Sequence, residues 1–199
     1  MGGPVMGSGA MAATRHRILA LGDSLTAGFG LAPDQAFPVR LEQALRAEGR
    51  DVTLINAGVS GDTSAGGKAR LDWALAARPD LAIVELGAND GLRGLDPALT
   101  RANLSAILNR LKADGVGILL TGMRAPPNYG KVFEAEFQAV FPALAAEHGV
   151  LFYPFFLDGV AGDSRYNQSD GLHPNAKGVD IIVERILPMV RKLLERAKP

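Results

Sequence analysis

Five short apolar runs constrain this chain more than any other feature. They lie at Ile18–Leu21, Val52–Ile55, Leu81–Leu86, Val116–Leu120 and Val150–Tyr153, and they recur about every 30–35 residues. Each is rich in Val, Ile and Leu without strict polar alternation, the pattern of strands buried on both faces of a parallel sheet. Helical patterns separate them. Leu104, Ile107, Leu108 and Leu111 follow i, i+3, i+4, i+7 spacing, and Gly115 then supplies a stop. Phe133, Phe137, Val140, Phe141 and Leu144 form a similar stripe, in which Pro142 is expected to bend or break the helix locally. From about Asn175, Val179, Ile182, Ile186 and Val190 share a face, with Pro188 placed to kink it. Strand then helix, five times over, predicts right-handed βαβ crossovers. A closed eight-stranded barrel needs about 200 residues and eight such units. The expectation is therefore an α/β fold: a three-layer αβα sandwich around a five-stranded, parallel, doubly wound (flavodoxin-like) sheet. One domain is expected over 17–199. Residues 1–16, with Met1, Met6 and Met11 among Gly, Ala, Ser and Pro, have no apolar h-region. They read as a flexible extension, the scar of a tag or of a replaced leader.

Composition narrows the chemistry. With no cysteine in 199 residues, disulfides, iron–sulfur clusters, cysteine-ligated zinc and a cysteine nucleophile are excluded. The three histidines, His16, His148 and His173, have no metal-motif spacing, which argues against a three-histidine zinc site. Twenty-one basic residues balance 21 acidic ones, leaving no field to recruit nucleic acid or an anionic membrane. No apolar run approaches the ~18 residues of a membrane span. The basic C-terminal segment, Arg191, Lys192, Arg196 and Lys198, alternates with Leu193, Leu194 and Glu195, as a solvated helix face does.

In doubly wound sheets ligands bind beyond the carboxyl ends of the strands, so the loops there matter most. After the first strand comes Gly22-Asp23-Ser24-Leu25. Ser24 suits a nucleophile exposed at a helix start, and equally a simple N-cap. This is not the Gly-x-Ser-x-Gly elbow, because Thr26 stands where the second glycine belongs. After the second strand, Gly58 to Lys68 is glycine-dense but fails the phosphate-loop pattern at Asp62 and Ala69. It can still offer backbone N–H donors, or be only a turn into a helix around Leu71 and Leu75. After the third, Gly87-Ala88-Asn89-Asp90-Gly91 offers an amide donor or plain turn chemistry. The Gly-x-Gly at Gly28-Phe29-Gly30 lacks its third glycine, Pro33 standing there, so dinucleotide binding fits poorly. After the fifth, Asp170 precedes His173 by three residues, within reach of one imidazole nitrogen. His148 ends the preceding helix, where a dipole-capping role accounts for it. Nucleophile, oxyanion donors, and the base with its orienting carboxylate thus fall on four loops of one predicted edge.

Taken together, Gly22-Asp23-Ser24-Leu25, Gly58-Val59-Ser60-Gly61-Asp62, Gly87-Ala88-Asn89-Asp90 and Asp170-Gly171-Leu172-His173-Pro174 resemble, in order, the four blocks of the GDSL or SGNH hydrolases. Gly61-Asp62-Thr63-Ser64, Glu85–Gly94 and Arg124–Gly130 further resemble its bacterial branch of multifunctional acyl-CoA thioesterases, lysophospholipases and arylesterases. The resemblance implies a catalytic triad of Ser24, Asp170 and His173. It implies an oxyanion hole from the Ser24 and Gly61 N–H groups and the Asn89 amide. It implies a small acyl ester or thioester substrate, no metal or cofactor, and a periplasmic or secreted location. Asp23, Asp90, Gly91, Leu92, Met123, Pro126 and Tyr129 are expected to meet substrate, the loops 91–96 and 122–130 lining an adaptable acyl groove.

Three other readings compete. The same triad could serve a carbohydrate O-deacetylase. The fold could carry a non-catalytic ligand-binding module. A flavodoxin-like signalling or nucleotide domain would want clustered acids after the first strand and an acceptor Asp after the third. Here Asp23 stands alone and the third strand ends in Glu85-Leu86-Gly87.

Overall fold

The computed structural model describes residues 15–197. Its centre is an all-parallel sheet of five strands in the order β2-β1-β3-β4-β5. The strands are β1 (His16–Gly22), β2 (Val52–Gly58), β3 (Leu81–Glu85), β4 (Gly117–Thr121) and β5 (Leu151–Tyr153). Each forms where the apolar runs predict, within two or three residues at the ends. β1 takes in His16, and residues 1–14, which hold most of the expected extension, lie outside the described residues. Ile18, Leu19 and Leu21 of β1 and Ile83 and Val84 of β3 expose nothing to solvent. Burying each such side chain contributes about 1.5–3 kcal/mol.

Helices cover both faces. α1 (Ser24–Ala27) is a single turn directly after β1, and α2 (Phe37–Ala47) follows it. α3 (Ser64–Ala69), α4 (Leu71–Leu75), α5 (Ala88–Leu92), α6 (Pro97–Ala113), α7 (Lys131–His148) and α8 (Ala176–Glu195) complete the set. α2 packs on α8, while α3 packs on α6 and α6 on α7, giving the two outer layers. The caps are local chemistry. Asp96 accepts from the Ala98 N–H to open α6 before Pro97, and Gly115 (φ 75°) turns the chain beyond its end. Asn175 opens α8 by accepting from the Gly178 N–H.

Three expectations change. α7 runs unbroken through Pro142 and α8 through Pro188. Both rings sit on exposed positions, so the carbonyl each leaves unbonded, that of Gln138 in α7, can turn to water. His148 ends α7, but its ring is engaged elsewhere than on the helix-end carbonyls. Its buried ring meets Ser105 Oγ at 3.0 Å across the α6–α7 contact, and Lys112 Nζ instead donates to the carbonyl at the end of α7.

Candidate active site

Parallel register brings the strand ends together. Gly22, the last residue of β1, is level with Gly58 of β2 and Glu85 of β3. The loops that leave these positions therefore share one edge. Asp23 caps α1 by accepting from the Leu25 N–H, which places Ser24 at the first helical position. The Ser24 hydroxyl lies 3.0 Å from His173 Nε2, 149 residues away in sequence. His173 Nδ1 donates to Asp170 Oδ2 at 2.7 Å. Asp170 Oδ1 meanwhile accepts the backbone N–H groups of Leu172 and His173 at 2.9 and 3.0 Å. These bonds, the one from the His173 backbone first, hold the Asp170 carboxyl down at about 2. Asp170 is thus a carboxylate throughout the neutral range, and it fixes Nδ1 as the protonated nitrogen. Nε2 is left as an acceptor facing Ser24 Oγ, which is the orientation proton abstraction requires. Phe29 packs its ring against the imidazole at 4.6 Å and limits its swing.

Three N–H donors sit on the loops of this edge. The backbone N–H groups of Ser24 and Gly61 make no hydrogen bond among the described residues. Gly61 adopts φ +86°, a conformation that side-chain-bearing residues rarely take, and its carbonyl accepts from Arg93 Nη2 at 2.8 Å. Asn89, on α5, donates from Nδ2 to the Asp62 carbonyl at 2.9 Å and to Asp23 Oδ2 at 3.2 Å. The shorter bond anchors the amide. The longer one is the weaker of the two.

Beside Ser24, Asn89 and His173 opens a cavity of ≈ 590 Å³. Its walls are largely apolar: Leu25, Leu92, Met123, Pro126, Phe155, Leu157 and Leu172 all reach it. A small-molecule site is usually of this size and character. Arg124, whose guanidinium lies over the Phe155 ring at 4.3 Å, is a cation on the wall.

Of the residues expected to meet substrate, Leu92, Met123 and Pro126 line this cavity. Asp23, Asp90, Gly91 and Tyr129 do not, and each has a structural reason. Asp23 is fully buried, its carboxyl taken by Leu25 and Asn89. Asp90 is buried and ties three helices, accepting from the Ser64 N–H and hydroxyl of α3 and the Thr100 hydroxyl of α6. Gly91 faces inward, where an added Cβ would come within 3.2 Å of Phe137 and 3.3 Å of the Ala125 backbone. Tyr129 lies across Gly94 and donates from its hydroxyl to the Leu92 carbonyl at 2.9 Å, so it joins the two loops. Sequence reasoning misses Phe29, Arg93, Phe155 and Leu157. A signal for the last two is present, because Pro154-Phe155-Phe156-Leu157 follows the fifth strand directly.

Among the described residues no three His, Asp or Glu side chains cluster to hold a metal ion. No helix among them is long and apolar enough to cross a membrane.

The chain resembles known proteins over most of its length. Residues 20–181 match the model of the GDSL-like Lipase/Acylhydrolase family. It is 41% identical to Esterase TesA of Pseudomonas aeruginosa, covering 92% of this chain and 91% of that one. It is 38% identical to "Thioesterase 1/protease 1/lysophospholipase L1" of Escherichia coli, over 92% and 87% of the two chains. The crystal structure of the psychrotrophic esterase EstA from Pseudoalteromonas sp., inhibited by monoethylphosphonate, superposes with a TM-score of 0.86 at 35% identity, covering 91% and 100%. A protein with this sheet, these four loops and this kinship belongs to the GDSL-like lipase/acylhydrolase family and is a serine ester hydrolase.

Proposed function

We propose that Ser24 is the nucleophile, activated by His173, and that the enzyme cleaves small acyl esters and thioesters: aryl esters, acyl-CoA thioesters and lysophospholipids. The observation that carries this reading is the Asp170–His173–Ser24 chain, with bonds of 2.7 and 3.0 Å, at the mouth of an apolar cavity. His173 Nε2 takes the Ser24 proton as Oγ bonds to the carbonyl carbon. The carbonyl oxygen becomes an oxyanion that accepts from the Ser24 and Gly61 N–H groups and from Asn89, which gives up its longer bond to Asp23. Asp170 stabilises the imidazolium without taking its proton. The imidazolium then protonates the leaving alcohol or thiol as its bond to carbon breaks. Water, deprotonated by His173, hydrolyses the acyl-serine and releases the carboxylic acid. Leu92, Met123 and Pro126 hold the acyl chain. No nucleic acid, metal or cofactor takes part, and the same reading puts the enzyme in the periplasm or medium.

The test is a panel of aryl esters, acyl-CoAs, lysophospholipids and acetylated sugars against the wild type and Ser24→Ala. Turnover of the first three classes, abolished by the substitution, is the expected result. Preference for acetylated sugars, or activity surviving without the Ser24 hydroxyl, would overturn the reading.

A further inference from the structure

Beneath the nucleophile lies a carboxyl that takes no part in the acyl transfer itself. Glu85 ends β3 and is wholly shielded from solvent. Its Oε2 accepts from the Thr26 hydroxyl at 2.7 Å and from the Asp23 N–H at 3.4 Å. These two donors stand on either side of Ser24. Its Oε1 has no hydrogen-bond partner among the described residues. A carboxylate in such a place would leave charge on an oxygen that nothing solvates, at a cost far above that of a neutral acid. Asp23 is equally buried, so two full charges side by side would also repel. Burial first, and the neighbouring Asp23 second, push the Glu85 carboxyl well above the usual range.

Space is arranged around this contact. Gly22 is level with Glu85 across the β1–β3 pairing, and a Cβ there would lie 2.6 Å from Glu85 Oε2 and overlap the Thr26 hydroxyl. Only glycine lets the two meet, which gives the first residue of the Gly-Asp-Ser-Leu block a packing reason. The charged groups near the pair come from several elements. Asp23 precedes α1. Arg70, between α3 and α4, donates from Nη2 to the Gly22 carbonyl at 2.8 Å and pairs through Nε with Asp62 at 2.5 Å. Asn89 reaches Asp23 from α5, and His173 faces Ser24 from the last loop.

We propose that Glu85 is a positioning residue: an uncharged, buried carboxyl that clamps residues 23 and 26 and thereby holds the Ser24 hydroxyl and N–H in register with Asn89. The inference rests on Ser24 being the nucleophile. Its proton lets one oxygen accept both bonds without placing a second negative charge beside Asp23, and without weakening the imidazolium's partnership with Asp170.

The experiment compares Glu85→Gln, Glu85→Leu and Thr26→Val with the wild type and Ser24→Ala, using p-nitrophenyl ester kinetics and thermal melts from pH 4 to 9. Glu85→Gln preserves the neutral acceptor, so kcat should stay within about threefold of wild type. Its melting temperature relative to wild type should rise with pH. Linkage sets the sign. The folded state holds the Glu85 proton while the unfolded state loses it near its ordinary value of 4.5. Wild-type stability therefore falls as pH rises toward the raised value, and glutamine has no such loss. Glu85→Leu and Thr26→Val remove one side of the clamp and should lower kcat about 10-fold or more with KM within twofold. Should Glu85→Leu not fold, Thr26→Val carries the test, since it changes only a hydroxyl to a methyl. Three results would overturn the proposal: a loss of more than 10-fold in Glu85→Gln, wild-type kcat in folded Glu85→Leu or Thr26→Val, or a pH-independent difference in melting between Glu85→Gln and wild type. If Ser24→Ala itself stays active, the reading of the nucleophile fails, and that outcome is distinct from failure of the clamp.

Discussion

Asp170→Asn removes one charge, keeps the side chain's shape and should leave the imidazole in the wrong tautomer. Asp170 Oδ1 accepts two backbone N–H groups, at 2.9 and 3.0 Å, while Oδ2 accepts only the His173 Nδ1 proton. An asparagine here has one oxygen, and two fixed backbone donors will keep it at the Oδ1 position. The amide NH2 then lands at the Oδ2 position and donates toward Nδ1. The imidazole must answer by carrying its proton on Nε2, facing Ser24 Oγ, where it can no longer accept one. The variant is therefore inactive by tautomer as well as by lost charge. In Ser-His-Asp triads this exchange costs about 10⁴-fold in kcat, or about 5.5 kcal/mol of barrier. We expect that loss for Asp170→Asn on a p-nitrophenyl ester, with KM within about threefold and an unchanged circular dichroism spectrum. A loss below about 10-fold in the folded variant would refute the tautomer argument and the assignment of Asp170.

The other expectations concern the oxyanion site and the scaffold under it. Asn89→Ala should lower kcat about 10²–10³-fold at nearly constant KM, the usual cost of one oxyanion donor, and steady-state kinetics will read it. Phe137 is fully buried, with its ring centroid 6.0 Å from that of Phe133 and 5.4 Å from that of Phe141. Phe137→Ala should cost about 3–5 kcal/mol, lowering the melting temperature by about 6–20 °C in calorimetry.

Much of this is legible in the chain because buried parallel strands write themselves as unbroken apolar runs. The five strands, the caps at Asn175 and Gly115 and the one histidine at the strand-end edge all follow from local pattern. The short helices do not. Ser64–Ala69 contains Gly66 and Gly67, and Ala88–Leu92 contains Asn89, Asp90 and Gly91, all poor helix formers read more naturally as turns. They form because Asp90 ties Ser64 to Thr100, a bond among residues as far as 36 apart that no local window contains. The same limit explains why Asp23 and Asp90 read as ligand contacts: an acid beside a motif serine or asparagine looks available until the structure shows its partners. Pro142 and Pro188 show the reverse case. The local rule expects a break, but both sit on the solvent side of helices whose inner faces are packed, Phe141 against the core in one and Ile186 in the other.

Of the many serines in this chain, Ser24 is the one we propose to be activated. A fluorophosphonate reacts with a serine hydroxyl only where a neighbouring base and an oxyanion site assist it. Treating the folded enzyme with such a probe and mapping the adduct by peptide mass spectrometry tests the claim directly. A single adduct on Ser24, lost in His173→Ala and formed in step with loss of esterase activity, is the predicted result. Inactivation with the probe on another residue, or full labelling of Ser24 without His173, would contradict the account.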